Sequence, residues 1–382
     1  MPAALLEKLC ERNGEAHARS SRNTQFALSA ARSAWRAAGL EAFPAIDATR
    51  VGIYLGGGEG PLDFAPFAAA ALSGCHDDGG KPIPLDTVRW ARAAMNVLDA
   101  TNELEQEPNL AGGHLAVEFN AQGPALNTLT ACAASTQAVG EAANLIRYGD
   151  ADVMITGGTH SMIHPLGVTG FNRLTALSTR NENIAQASRP FDRFRDGFVL
   201  GEGAGILILE ELAHARGRGA VPLGEIAGFG STADAFRITD IHEDGRGAVA
   251  AMSAALKSAG VGPAEVDYIS AHGTGTEEND KAETLAIRKL FGGHAKKLVI
   301  SSVKSMIGHL IAAAGAVELI TCLLAIRDGM VPPTINYSTP DPNCDLDYLP
   351  NKARSVPVKT ALSNSFGFGG QNDAIVVRAF AD

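Results

Sequence analysis

The sequence predicts a layered α/β fold with mostly parallel sheets, arranged as two related halves. Three observations carry this. Apolar runs of strand length alternate with helical stretches along most of the chain, the pattern of a parallel sheet with covered faces. The 42 glycines follow no collagen period and form no flexible tract; they punctuate apolar segments, as tight strand–helix turns require. A glycine-rich turn feeding an apolar strand occurs twice, at Phe198–Leu209 and Phe366–Val377. Each belongs to a segment whose preceding helix ends in Arg-x-Gly, at Arg147-Tyr148-Gly149 and at Arg327-Asp328-Gly329.

In chain order, Ala-rich spacing through Phe26, Ala30, Ala31 and Trp35 predicts a helix over 23–39. Val51–Leu55 reads as a buried strand running into Gly56-Gly57-Gly58. That triple glycine lacks the Gly-Lys-Ser/Thr ending of a phosphate loop, so it makes no nucleotide site. Residues 61–115 are the least regular and read as helices and loops capping the sheet. A helix follows at 133–148, a strand at 151–156 and another at 205–210. The second half repeats the alternation, with helices at 247–259, 277–291 and 311–327. Its strands fall at 266–270, 298–301, 358–363 and 374–380. The boundary between halves is expected near 213–222, giving units 1–215 and 216–382. No Pro/Ser linker separates them, so intimate packing is expected.

Composition narrows the class. With 382 residues, 46% hydrophobic and 19% charged, the chain can bury a large core. A net charge of −10 argues against a dedicated nucleic-acid binder. Cys10, Cys75, Cys132, Cys322 and Cys344 are odd in number and show no CxxC spacing. A disulfide framework or structural zinc is therefore not expected, and a reducing, cytoplasmic setting fits. No apolar stretch is long enough for a membrane helix, and the first residues lack the pattern of a secretory signal. Arg12, Arg19 and Arg22, with His17 among them, form a local basic cluster; a solvated helix face is the simpler reading.

Four segments carry candidate chemistry. Cys132 lies in Thr130-Ala131-Cys132-Ala133, where a helix begins immediately after it. The positive end of a helix dipole favours thiolate, the nucleophilic form. Taken alone, the same residue is as readily a buried packing cysteine. His272 lies in Ser270-Ala271-His272-Gly273-Thr274-Gly275-Thr276. Lys304 and His309 lie in Lys304-Ser305-Met306-Ile307-Gly308-His309. The last segment is Gly367-Phe368-Gly369-Gly370-Gln371-Asn372. Loops at strand ends are where α/β folds build their sites. One cysteine and two histidines at three such ends outweigh any one of them. His114, His160 and His164 fit no such pattern and read as structural.

Together these motifs resemble the β-ketoacyl-[acyl-carrier-protein] synthases, condensing enzymes with the thiolase fold, and the KAS II class in particular. The likeness runs from about residue 17 to the end. It includes Leu177-Ser178-Thr179-Arg180-Asn181, Ser188-Arg189-Pro190-Phe191-Asp192 and Arg195-Asp196-Gly197-Phe198-Val199. The resemblance implies two thiolase-like halves layered α-β-α-β-α. It makes Cys132 the acyl-accepting nucleophile and His272 and His309 the pair supporting decarboxylation. Lys304 then orders the site, with Glu318 as its supporting carboxylate. Thr274 and Thr276 would bind a phosphopantetheine arm. Phe368 would gate the nucleophile, its N–H joining that of Cys132 in an oxyanion hole. The implied partners are an acyl carrier protein, with Arg19 and Arg22 as docking candidates, and a second copy of the chain or a non-identical synthase subunit. No metal or redox cofactor is needed, because the phosphopantetheine arrives on the carrier.

Two departures from the family stand out. Its opening strand, Thr-Gly-x-Gly turn and Ser-Pro-x-Gly loop do not occur, so the start is expected to lie inside a longer reading frame, with a sheet strand missing. Glu59 falls where the class carries an apolar residue of the acyl pocket, which implies short or functionalised acyl groups unless its side chain points away. The competing functions are a thiolase or chalcone-synthase type, disfavoured by the Lys-Ser-x-x-Gly-His motif, and a non-condensing chain-length-factor-like partner, disfavoured by Cys132.

Overall fold

The computed structural model describes residues 17–43, 45–60, 62–239 and 241–381. The first half comprises α1 (Arg22–Ala37), β1 (Val51–Gly56), α2 (Phe64–Cys75), α3 (Thr87–Val97), α4 (Ala100–Leu104), α5 (Leu110–Phe119), β2 (Ala125–Thr128), α6 (Ala134–Arg147), β3 (Val153–His160), α7 (Pro165–Arg173), β4 (Gly203–Glu210) and α8 (Leu212–Gly217). The second comprises β5 (Glu225–Ala233), α9 (Arg246–Ala259), β6 (Tyr268–Ser270), α10 (Glu277–Phe291), β7 (Val299–Ser301), α11 (Lys304–Ile307), α12 (Ala314–Asp328), β8 (Met330–Val331), β9 (Arg354–Ser355), β10 (Thr360–Gly367) and β11 (Gln371–Arg378).

Local chemistry sets the element ends. The Ser21 hydroxyl accepts from the Thr24 N–H and caps α1. Glu277, Glu278 and Asp280 open α10 while Arg288 and Lys289 close it, both favourable to the helix dipole. The repeated Arg-x-Gly signal ends α6 and α12 at Gly149 (φ +78°) and Gly329 (φ +61°), a conformation glycine adopts without penalty.

The first sheet has the order β2-β1-β3-β4, and the second β5-β11-β10-β6-β7. Strands β2, β1 and β3 run parallel, as do β10, β6 and β7. The antiparallel share exceeds the expectation: β3 pairs with β4, β10 with β11, and β11 with β5. The turn at Gly367–Gln371 is too short for a crossover, so β10 and β11 must form a hairpin. β5 itself lies in a segment the sequence reading assigned to no strand. Among the described residues the first sheet has one strand fewer than the second. β4 is its edge, at the place β11 holds beside β5.

Helices α6 and α12 lie between the two sheets and touch both. On one outer face α1 packs on β4 and β3, and α5 on β1 and β2. On the other, α9 covers β5 and β11. The three largest apolar cores are Leu28, Ile53, Leu55 and Leu115 under α1 and α5; Val139, Leu207, Leu319 and Ile375 around the central helices; and Met252, Ile269, Ile300 and Leu362 under α9 and α10. Helices α2 and α3 pack chiefly on each other and leave Leu72, Val88 and Met95 exposed, so they extend from the sheet as much as they cap it.

The halves interlock through small residues. A β-carbon on Gly140 of α6 would enter the ring of Phe229 on β5. Gly140→Val is therefore expected to overpack this contact and destabilise by about 1–3 kcal/mol. A fall in the urea midpoint measures it; an unchanged midpoint would show that the contact does not constrain the halves.

Candidate active site

The site forms where the two central helices begin. Thr130-Ala131-Cys132-Ala133 turns into α6, and Leu310-Ile311-Ala312-Ala313 turns into α12, each through a short 3₁₀ segment. Ala131 and Ile311 both adopt φ +48°. For residues with a β-carbon this left-handed conformation costs about 1–3 kcal/mol, strain typical of functional turns. β1 and β3 approach these turns closely only through glycines, Gly56 and Gly158. A β-carbon on Gly158 would lie 2.6 Å from Ser135 Cβ and 2.8 Å from the Ala312 carbonyl oxygen.

Cys132 is buried and lines a cavity of about 350 Å³. His272, His309, Thr274, Thr276 and Phe368 line the same cavity. The backbone N–H groups of Cys132 and Phe368 lie beside the sulfur and favour its charged form. His309 Nε2 lies 3.1 Å from Sγ. Its Nδ1 accepts from the Ile311 N–H at 3.3 Å, which places the ring proton on Nε2. Lys304 Nζ lies 3.5 Å from His272 Nδ1, so that nitrogen is an acceptor and Nε2–H is the donor of this ring also. The two rings meet edge to face at a centroid distance of 5.5 Å. One ligand atom from each of Cys132, His272 and His309 falls within a mutual 4.8 Å. A soft cation could bridge such a set, but the Lys304 ammonium beside His272 opposes it.

Lys304, at the start of α11, is buried behind this trio. It donates to the His272 carbonyl at 2.6 Å and to the Glu318 carboxylate on α12. Burial, then Lys304, hold both histidines well below their usual pKa, so both imidazoles are neutral. Thr274 and Thr276 hydroxyls pair at 2.9 Å on the cavity wall.

One expectation is reversed. The helix start was expected to favour the thiolate, yet burial pushes the Cys132 thiol up to about 12. Lys304 and the two backbone N–H groups oppose that shift without overcoming it.

The peripheral residues fare differently. Glu59 is exposed at a bend and does not line the cavity. The Arg22 guanidinium is committed to Glu202 and stacks over Phe26 at 5.6 Å, so it is less available for docking than expected. Arg19 stays exposed and pairs with Asp99. Arg12 and Cys10 lie outside the described residues.

The sequence reading missed the groups that hold the His272 loop. Glu283 accepts the N–H groups of His272 and Gly273, each at 2.8 Å, and the Asn364 amide at 3.1 Å. Burial raises its carboxyl to about 7 against those hydrogen bonds. Asp280 accepts from Phe191 and Gly275, beside the Arg195 guanidinium. The signal was present: Asp280, Glu283, Thr284 and Ile287 form one stripe of α10 at helical spacing, and the whole stripe is buried.

A buried thiol beside two backbone donors, faced by two neutral imidazole donors in one cavity, defines an acyl-transferring condensing enzyme of the thiolase-like fold. Comparison with known proteins agrees. Residues 13–215 match "Beta-ketoacyl synthase, N-terminal domain" and residues 223–338 match "Beta-ketoacyl synthase, C-terminal domain". The chain is 42% identical over 360 residues to 3-oxoacyl-[acyl-carrier-protein] synthase 2 of Coxiella burnetii, covering 94% of this chain and 82% of that one. It is 50% identical over 272 residues to the Synechocystis protein of the same name, covering 71% and 65%. Among solved structures, a β-ketoacyl synthase from Burkholderia phymatum superposes with TM-score 0.85 at 30% identity, over 96% of this chain and 85% of that one. A type II polyketide ketosynthase, solved with its acyl-carrier protein and bound to the hexaketide, gives 0.84 at 39%, over 94% and 85%. This chain belongs to the β-ketoacyl synthase family.

The raised thiol predicts the pH profile of its alkylation. The iodoacetamide rate at Cys132, followed by peptide mass, should keep rising roughly tenfold per pH unit to about pH 10. A plateau near neutrality would show a thiolate already formed in the resting site.

Proposed function

We propose that this chain performs the decarboxylative Claisen condensation of an acyl thioester with malonyl-acyl-carrier protein, giving 3-oxoacyl-carrier protein. The observation that carries it is the pairing of two Nε2–H donors with one thiol in a single buried cluster. In the first half-reaction the Cys132 sulfur attacks the acyl carbonyl. The N–H groups of Cys132 and Phe368 receive the oxyanion, and the phosphopantetheine thiol leaves with the proton. In the second, the malonyl C–C bond breaks and carbon dioxide departs. The electron pair moves to the thioester oxygen, where His272 and His309 donate to the enolate. The enolate carbon then attacks the acyl-Cys132 carbonyl. The sulfur leaves as thiolate and recovers one proton.

Lys304 is a positioning residue in this scheme. Its charge adds to burial in keeping His272 neutral, and its bond to the His272 carbonyl fixes the loop. Thr274 and Thr276 are placed to hydrogen-bond the phosphopantetheine arm. No cofactor of the chain's own enters the reaction. The nucleophile and both histidines disfavour a chain-length-factor role.

The partners are an acyl carrier protein and a second synthase chain. The exposed edge strand β2, with Leu126 and Leu129 bare and Val117 of α5 nearby, supports pairing with a second copy. One structural neighbour is a ketosynthase paired with its chain length factor, the heterodimeric counterpart. The described cysteines are all free, which supports a cytoplasmic setting. No helix among the described residues is long and apolar enough to cross a membrane.

Intact-mass analysis after mixing with acyl-carrier-protein thioesters tests the reading. An acyl adduct is expected on the wild type and not on Cys132→Ala, discharged as 3-oxoacyl product by malonyl-carrier protein. Absence of any adduct on folded wild type would overturn it. Replacing either histidine with alanine should lower malonyl decarboxylation by about 10²–10³-fold; equal rates would remove them from the mechanism. Arg19→Glu should raise KM for carrier-bound substrate and spare a small pantetheine thioester; equal losses on both would exclude a docking role.

A further inference from the structure

His17 is buried, although its arginine neighbours in the sequence suggest a solvated face. Its Nδ1 lies 2.8 Å from Nδ1 of His114 on α5, with the two rings tilted by 59°. Its Nε2 lies 3.1 Å from the carboxylate of Glu118, one turn further along α5. On the other side, His114 Nε2 lies 2.8 Å from the carboxylate of Glu105, the residue after α4. The row Glu118, His17, His114, Glu105 thus ties the approach to α1 both to α5 and to the end of α4. Neither histidine lines the cavity that holds Cys132.

The hydrogen bonds of this row fix how many protons it holds. Both carboxylates accept from other donors as well: Glu118 from Arg32 on α1 at 2.5 Å, and Glu105 from the Ser21 N–H at 2.8 Å. The Arg32 guanidinium holds the Glu118 carboxyl below its usual range, so it is ionised. Each Nε2 is therefore the donor to its carboxylate. Two nitrogen lone pairs do not face each other at 2.8 Å, so the two Nδ1 atoms share one proton. The rings then carry three protons on four nitrogens, one more than two neutral imidazoles bring. The separation is too short for a bridging metal ion, whose two bonds of about 2.0–2.1 Å at a tetrahedral angle would set the nitrogens about 3.3 Å apart. The remaining charges of the same segment, Arg19 and Arg22, are paired with Asp99 and Glu202.

We propose that the proton shared by His17 and His114 is a pH-sensitive clasp that holds the segment before α1 against α5. The sign of its effect follows from the proton count. Released into water, the two histidines titrate near about 6.5. Below that pH the released rings take up as many as four protons, against three in the clasp, so acid favours release. Above it they keep only two, so base favours release as well. The clasp is tightest where free histidine is half protonated. This linkage makes release about threefold more favourable one pH unit to either side, and on the order of 25-fold more favourable two units above.

Trypsin reads the clasp. Arg19 is exposed while Ser20 beside it is buried, so cleavage between them requires the segment to open. The test follows cutting after Arg19 by peptide mass on the full chain, for wild type and for folded His17→Gln. Dividing the variant's rate by the wild type's cancels the protease's own pH dependence. That ratio should peak near about pH 6.5 and fall about threefold one pH unit to either side. A flat ratio, or one that changes in a single direction with pH, would overturn the proposal. Ring-nitrogen NMR of wild type labelled with nitrogen-15 histidine gives the count directly. At about pH 7.5, where free histidine is mostly neutral, one proton should couple to two Nδ1 nitrogens while both Nε2 atoms of that pair stay protonated. This spectrum decides if His17→Gln does not fold. Absence of the shared proton would overturn the proposal, as would a stoichiometric zinc or copper ion in purified wild type that is lost from His17→Gln.

Discussion

Two helices begin face to face in the middle of the protein, between two sheets, and that close approach sets the terms for everything else. It requires small side chains on both sides and a replacement for the water the helix starts lose. Ser135 Oγ accepts the Ala316 N–H at 2.9 Å, from one central helix to the other. The Thr136 and Ser365 hydroxyls meet at 2.7 Å, joining α6 to β10. Gly315 leaves room for Thr136. These bonds satisfy buried backbone and hydroxyl groups that would otherwise be orphaned, and they lock the halves at the depth where the thiol sits. A larger residue at any of these places would part the turns that carry Cys132 and Ile311.

The dryness that follows from this packing governs the electrostatics. Burial opposes every charge in the cluster: it raises the Cys132 thiol and lowers both histidines. Lys304 is surrounded by acceptors, the His272 carbonyl and the Glu318 carboxylate. A neutral donor is what a developing enolate requires, because an imidazolium would bind the malonyl carboxylate and resist its loss. The high resting pKa of the thiol is the other side of the same burial. Charge on sulfur becomes favourable only as a bond to carbon forms under the two backbone donors.

Much of this was legible in the sequence. The strand–helix alternation located most elements to within a few residues, and the helix at 277–291 coincides with α10. Cys132, His272, His309, Thr274, Thr276 and Phe368 do share one cavity. What escaped were features set by long-range contacts. β2 and β5 carry weak strand patterns and owe their pairing to neighbouring strands. Glu283 and Asp280 look like ordinary solvated carboxylates until the loop that needs them is in place. The thiol's pKa failed for the same reason: the helix start is visible in sequence, whereas the depth of its burial is not. Arg22 read as surface charge because Glu202, its partner, is 180 residues away.

The two strained turns have a consequence of their own. Ala131 and Ile311 share one backbone angle at matching places in two halves of common design, yet only the first is followed by a thiol. The second turn was not left idle: its Ile311 N–H settles which nitrogen of His309 holds the proton. A single inherited bend thus supplies the sulfur on one side and the tautomer on the other. Neither half is complete by itself, so separating them would leave a thiol with no partner and an imidazole with no task.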